Sequence, residues 1–152
     1  VYDVSMPSLT VPFKAYKDDV KSRLWHGTKA PNLLSILKNG LIVPPRNHPT
    51  YSGRAFSDGI YFTNVSSKSL QYSTGFWQGA SQYDEKAFMF LADVAIGRYY
   101  VPKSSSDGPF PKPGYDSTWA QKGKTSYIQN DEIVIHDLTR FNLTHLVEFS
   151  RA

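Results

Sequence analysis

Leu24-Trp25-His26-Gly27-Thr28 is the stretch on which the reading of this chain turns, together with Gly59-Ile60-Tyr61-Phe62 and Asn130-Asp131-Glu132-Ile133-Val134-Ile135. Each is a short apolar run of strand character. Each also carries one side chain able to bind or react: His26, Tyr61 and Glu132. The three lie far apart along the chain, so only a fold that returns on itself can bring them together.

Working outward, Arg23 to His26 reads as a short strand. A helix is expected from about Pro31 to Asn39, with Pro31 in its first turn, Leu33, Leu34, Ile36 and Leu37 as its apolar face, and Gly40 just past its end. Residues 42–58 hold three prolines, Gly53 and several polar residues, and read as a long exposed loop. Gly59 to Phe62 is a strand, and Ser66 or Ser67 suits the cap of a helix running through Tyr72. Phe88 to Ala95 is apolar on both faces apart from Asp93, as a central strand would be. Residues 102–126, rich in Pro, Gly, Ser and Lys, form a second long loop. Glu132 to Ile135 and Leu143 to Phe149 are further strands, with a turn or short helix between. Residues 1–22 read as a strand or two limited by Pro7 and Pro12. The sum is an α+β chain of strands and short helices, expected to form one domain over residues 1–152.

Composition bounds the chemistry. A domain of this length buries about 68–70% of its unfolded surface, enough for a real core. The 10 Tyr, 9 Phe and 3 Trp favour strands and the stacking of flat ligands. There is no cysteine, which excludes disulfides, thiolate metal sites and a Cys nucleophile, and fits an intracellular, reducing compartment such as nucleus or cytoplasm. No signal peptide opens the chain, and no stretch approaches the roughly 20 apolar residues of a membrane helix, so no membrane role is expected. The chain starts at Val1 rather than Met, as an excised domain would. Its net charge of +4 is mild and scattered. Lys112, Lys122 and Lys124 make the one loose cluster, a solvated loop or a contact for nucleic acid or polyphosphate. The sequence has no G-x-G-x-x-G, no G-x-x-x-x-G-K-[ST] and no G-x-S-x-G. His48, His136 and His145 lack the spacing of a metal site, so no metal is expected.

Taken singly, the candidate residues have ordinary structural explanations. His26 beside Trp25 could be a packed histidine, but Gly27 and Thr28 follow it. Glycine lets a ligand approach the backbone, whose N–H and C=O can then bind an amide. A neutral His26 offers one donor for a sugar hydroxyl. Tyr61 could be core or a ring on which a heterocycle stacks, with Tyr72 on the facing side. Ser67, Lys68 and Ser69 lie between them and can supply a hydroxyl. Glu132 opens a buried strand and is the carboxylate least explained by structure. Asp131 points to the opposite face, and Asp137 closes the strand as a turn or cap residue.

As an ordered set, these segments resemble the catalytic domain of the poly(ADP-ribose) polymerases over nearly the whole chain. The resemblance rests on RLWHGT at 23–28, ILKNGL at 36–41, GIYF at 59–62 with SKS at 67–69 and Tyr72 behind it, VAIG at 94–97, GKTSY at 123–127 and NDEIVIHD at 130–137. It implies the ADP-ribosyltransferase fold: two packed, mainly antiparallel sheets with a few short helices. It implies NAD+ as donor substrate, transfer of ADP-ribose with release of nicotinamide, and no metal. It also implies roles. His26 would bond the adenine-side ribose. Gly27 would hold the nicotinamide amide through its backbone, with Thr28 beside it in the NAD-binding set and Ser69 adding a hydroxyl. Tyr61 and Tyr72 would sandwich the nicotinamide ring. Glu132 would bond the 2′-hydroxyl of the nicotinamide ribose, and Lys68 would line the catalytic centre. Loop 42–58 matches the donor loop and 102–126 the loop that shapes the acceptor site. Arg54 and Ala55 stand where family members often carry larger or aromatic residues. Nothing in the sequence corresponds to the helical domain that precedes the regulated members, so that brake is expected to be missing.

The full His26, Tyr61, Glu132 set makes poly(ADP-ribose) formation the expected activity of a monomer acting on a protein acceptor, with nucleic acid as a further possible target. The alternatives are a mono-ADP-ribosyltransferase and a non-catalytic module that only binds NAD or ADP-ribose. The intact Glu132 argues against the last.

Overall fold

The sequence forces one long buried strand. Lys86 to Ala95 alternates little between polar and apolar, and Ala87, Met89, Phe90, Ala92, Val94 and Ala95 are all buried. A strand apolar on both faces is stable only with neighbours on both edges and cover on both sides. The computed structural model, which describes residues 1–47, 54–73 and 86–150, supplies both.

In chain order the elements are β1 (Tyr2–Asp3), α1 (Pro7–Phe13), β2 (Lys21–Gly27), α2 (Leu33–Asn39), β3 (Ile60–Phe62), α3 (Ser66–Leu70), β4 (Lys86–Ala95), β5 (Tyr99–Tyr100), β6 (Ser117–Ala120), β7 (Glu132–Ile135) and β8 (Phe141–Ser150). Short 3-10 turns follow α1 and β2 and precede β6. The strands form two four-stranded sheets, β1-β8-β4-β2 and β3-β7-β6-β5, antiparallel except for the β5–β6 pair. This is the α+β, mainly antiparallel architecture expected. Among the described residues no helix is long and apolar enough to cross a membrane.

The main core lies between the sheets. Ile60, Phe62, Ile133 and Ile135 from one sheet meet Leu24, Phe90, Ala92, Val94, Phe141 and Leu143 from the other. By strand alternation, Tyr61, Glu132 and Val134 fall on the opposite face of their sheet. There a second cluster of Phe56, Phe110, Ala120 and Val134, with Tyr61 and Tyr100, covers them with loop residues. The two sheets touch edge to edge where Trp25 and Thr63 exchange backbone hydrogen bonds of 2.8 and 3.1 Å.

Four expectations need correction. Residues 1–22 are not mainly strand, for α1 occupies Pro7–Phe13. Pro7 sits in the first turn, where its missing N–H leaves nothing unpaired. Burial of Met6 and Leu9 outweighs the loss of a donor at Pro12. The helix expected over 31–39 is a 3-10 turn (Ala30–Asn32) followed by α2, and only Ile36 of its apolar face is fully buried. The next helix ends at Leu70, before Tyr72, and its N-cap position is Val65, which offers no side-chain cap, rather than a serine. Loop 102–126 contains β6, whose Ser-Thr-Trp-Ala sequence is hidden among turn-forming residues.

Candidate active site

The cleft opens where the free edges of β2 and β3 part beyond the Trp25–Thr63 bridge. Its volume is about 660 Å³, and His26, Gly27, Thr28, Tyr61, Lys68, Ser69, Tyr72 and Glu132 all line it. These eight candidates are therefore gathered into one space. Three different strands and α3 with its following turn hold them.

His26 spans the two sheets. Its Nδ1 lies 2.9 Å from the Tyr61 carbonyl oxygen. A carbonyl only accepts, so Nδ1 carries the proton. Burial pushes the His26 pKa below its ordinary 6.5, which keeps the ring neutral. Its donor is thus spent on the protein. What remains for a ligand is the Nε2 lone pair, an acceptor, where the sequence alone led us to expect a donor.

Gly27 has a double reason. A Cβ built on it would lie 1.8 Å from the Ser69 carbonyl oxygen and 3.2 Å from Tyr72 Cβ. Glycine is what lets the end of β2 lie against α3, so it sets the position of Lys68, Ser69 and Tyr72. Its backbone direction follows from the ladder. Trp25 turns its N–H and C=O toward Thr63, away from β4. Peptide groups alternate sides along a strand, so those of Gly27 face the cleft and not β4.

Tyr61 packs against the loop cluster and also lines the cleft. Its hydroxyl donates to the Ser57 carbonyl and accepts from the Phe56 N–H, both at 2.9 Å. Burial first, opposed by the Phe56 bond and aided by the Glu132 charge, raises the Tyr61 pKa far above its usual value. The ring is a fixed, neutral surface. Tyr72 is about half exposed and Ser69 is buried. Ser67 is exposed and does not line the cleft. Thr28 is buried, and its Oγ1 accepts a long 3.5 Å bond from Asn32 Nδ2.

Lys68 Nζ forms an ion pair with Glu132 Oε1, and both side chains are largely buried, at 16% and 13% exposure. The neighbouring carboxylate has a different fate. Asp131 accepts 2.9 Å bonds from Trp119 Nε1 and the Lys122 N–H, on the far side of the strand. Asp137 caps the turn after β7 through Thr139, as expected of it. His136 is tied to the Asp58 carbonyl at 2.8 Å and Thr118 Oγ1 at 3.1 Å. Among the described residues no three His, Cys, Asp or Glu side chains come together as a metal site. Residues 48–53, His48 among them, lie outside the described residues.

Sequence reasoning missed Arg54 as a cleft residue. Its side chain is only 8% exposed, its Nη1 pairs with Asp58 Oδ1 at 2.8 Å and its Nη2 donates to the Pro44 carbonyl at 2.7 Å. The i,i+4 charge pair is readable in the sequence, but it lies in a loop and carries no helical signal.

Known proteins bear on this geometry. The poly(ADP-ribose) polymerase catalytic domain model matches residues 1–146. A putative poly [ADP-ribose] polymerase-like protein, 100L, of Invertebrate iridescent virus 6 is 24% identical over 164 residues, taking in 99% of this chain and 85% of its own. Poly [ADP-ribose] polymerase 1 of Oryza sativa subsp. japonica is 31% identical over 121 residues, 78% of this chain and 12% of that protein. The mouse protein mono-ADP-ribosyltransferase PARP4 is 28% identical over 137 residues, 83% of this chain and 7% of its own length. The chain thus spans most of the viral relative but a small part of the other two. The family match takes in both sheets and the whole cleft, and on that extent the chain belongs to the poly(ADP-ribose) polymerase catalytic domain family, whose enzymes use NAD+ for ADP-ribose transfer.

Proposed function

We propose that this domain transfers ADP-ribose from NAD+ to a protein acceptor, that Glu132 is its catalytic carboxylate, and that it can extend the product into poly(ADP-ribose). The observation that carries this is the Glu132–Lys68 pair inside the cleft that Tyr61 and Tyr72 also line. In the reaction the bond from the ribose C1′ to the nicotinamide nitrogen breaks. Its electron pair goes to the nicotinamide ring, which leaves neutral, and positive charge develops on the ribose. A carboxylate already fixed beside that centre stabilises the charge without reorganising.

The remaining residues orient the donor. Tyr61 and Tyr72 flank the nicotinamide ring, and the Gly27 peptide groups and Ser69 hydroxyl hold its amide. His26 Nε2 accepts from a hydroxyl of the adenine-side ribose, with Thr28 at its side. Lys68 holds Glu132 by Oε1, and Oε2 serves the 2′-hydroxyl of the nicotinamide ribose and then the incoming nucleophile. The cysteine-free sequence supports an intracellular, reducing setting.

A mono-ADP-ribosyltransferase is the second reading, and Arg54 favours it. Arg54 stands where family members often carry larger or aromatic residues, and its guanidinium is held at the cleft by Asp58 and the Pro44 carbonyl. Labelled NAD+ offered with protein, DNA and RNA acceptors tests both. A ladder on a protein acceptor supports the first reading, a single added unit the second. Glu132→Gln should still bind NAD+ and transfer nothing appreciable. Unchanged turnover in that variant would sink the assignment of Glu132.

A further inference from the structure

We propose that Ser57 is a positioning residue for donor binding: it fixes Tyr61 and latches the loop before β3 to the loop before β6. The inference rests on Tyr61 being the stacking surface for nicotinamide.

Among the described residues, Ser57 and Tyr127 are the non-glycine residues in the left-handed region, with φ of 67° and 63°. Side chains are sterically disfavoured there, and such outliers persist where the surroundings hold them. Tyr127 is almost fully exposed, at 99%. Ser57 is held from several sides. Its carbonyl accepts from the Tyr61 hydroxyl at 2.9 Å, and its Oγ accepts from the Phe110 N–H at 3.1 Å. The preceding residue closes the circle. The Phe56 N–H donates to the same Tyr61 oxygen at 2.9 Å, and its ring meets the Phe110 ring edge-on at 5.8 Å between centroids.

The left-handed turn is what makes both bonds possible. It aims the Ser57 carbonyl toward Tyr61 while its side chain reaches Phe110. Glycine would adopt this backbone more easily but would bring no Oγ. The serine therefore does something the turn alone does not require. It satisfies the N–H of the buried Phe110 and joins the two loops at the point where Tyr61 is anchored. The ring that faces the donor is then held by contacts from both loops, and slack in either one reaches it.

Two substitutions separate the latch from the backbone. Ser57→Gly removes Oγ and relieves the left-handed strain; Ser57→Ala removes Oγ and keeps it. Tm should be higher for the glycine variant than for the alanine variant. The KM for NAD+ should rise equally in both, by about threefold to tenfold, the equivalent of one hydrogen bond, with kcat changed by less than about twofold. A purely structural Ser57 would make KM follow Tm, and a glycine variant with wild-type KM overturns the proposal. Tyr61→Ala, measured alongside, distinguishes the failures. If it raises KM while both Ser57 variants do not, the latch is wrong and the site stands. If none of the three moves KM, the placement of nicotinamide on Tyr61 is wrong, and the latch falls with it.

Discussion

The two sides of the cleft are built differently. On the strand side, Gly27, His26 and Glu132 sit on or beside residues that are wholly buried. Ile133, Val134 and Ile135 show no exposure, and backbone bonds tie β2 to Thr63. On the loop side, Arg54, Ser57 and Asp58 are held by side-chain polar contacts rather than by strand pairing. Asp58 is 41% exposed and its second partner, Arg46, 76% exposed. Exposed ion pairs of this kind contribute about 0–1 kcal/mol. The difference teaches a division of labour. The residues proposed to bind the donor and to act on it, His26, Gly27, Tyr61 and Glu132, are placed by the sheets, and Arg54, Ser57 and Asp58 support the cleft from loops that cost less to move.

That comparison is testable in order of effect. The largest belongs to the strand side: Glu132→Gln should lower kcat by about 10²–10³-fold with little change in NAD+ affinity, if the carboxylate acts as one preorganised electrostatic group. Single-turnover transfer and NAD+ titration read the two separately. A loss of binding equal to the loss of rate would mean that Glu132 grips the donor and does not act chiefly in the transition state.

Gly27→Ala comes next. A methyl group 1.8 Å from a backbone carbonyl cannot be absorbed by a side-chain rotation, so α3 must move. Overpacking of this kind costs about 1–3 kcal/mol. Because α3 carries Lys68 and Ser69 and leads to Tyr72, NAD+ binding should fall as well. Thermal unfolding and NAD+ titration should both register the change. A variant as stable as the parent and binding normally would show that the strand side is as yielding as the loops.

Tyr61→Ala is smaller, because the ring belongs to both sides. Its strand places it and its hydroxyl is held by Ser57 and Phe56. Losing the stacked ring should weaken nicotinamide-site ligands by about 0.5–1.5 kcal/mol beyond the lost contact area. Calorimetric titration with nicotinamide measures this. An unchanged affinity would place the ring elsewhere.

The strand side was also the more legible in the sequence, for a physical reason. β3, β4 and β7 announce themselves as apolar runs because burial selects apolar residues whatever the partner, and β2 shows itself through Leu24 and Trp25 beside His26. His26, Tyr61 and Glu132 interrupt those runs, and the interruption is the signal. The resemblance of their ordered set then assigned them roles that composition could not. The loop side left no such trace. On the strand side too, the steric reason for Gly27 lies in the distant Ser69 carbonyl, and no local pattern encodes it. The burial of Arg54 depends on Pro44 and Asp58 folding around it. A left-handed serine at position 57 violates local preference and is invisible until the backbone is seen. α1 was hidden by Pro7 and Pro12, whose usual meaning as strand limits was overridden by the packing of Met6 and Leu9. β6 was hidden because four residues without an apolar run cannot outweigh the glycine, proline and lysine around them.

The smallest effect is pH dependence, and it separates the two sides directly. His26 on the strand side and His136, which bonds the Asp58 carbonyl on the loop side, are both held below their ordinary 6.5, in each case chiefly by burial. Between the folded value and 6.5 the unfolded chain binds protons that the folded one refuses, so stability rises with pH across that window and falls on acidification. Lowering the pH from 7.5 toward 5.5 should reduce Tm by a few degrees, about 2–4 °C for each kcal/mol lost. His26→Asn and His136→Asn each keep a donor near Nδ1 and abolish the titration. Either should flatten part of the Tm profile. Only His26→Asn should also flatten the pH dependence of the KM for NAD+, because His26 lines the cleft and His136 does not. If His136→Asn flattens it instead, the loop before β3 governs donor binding more strongly than the sheets do, and the division between the two sides must be redrawn.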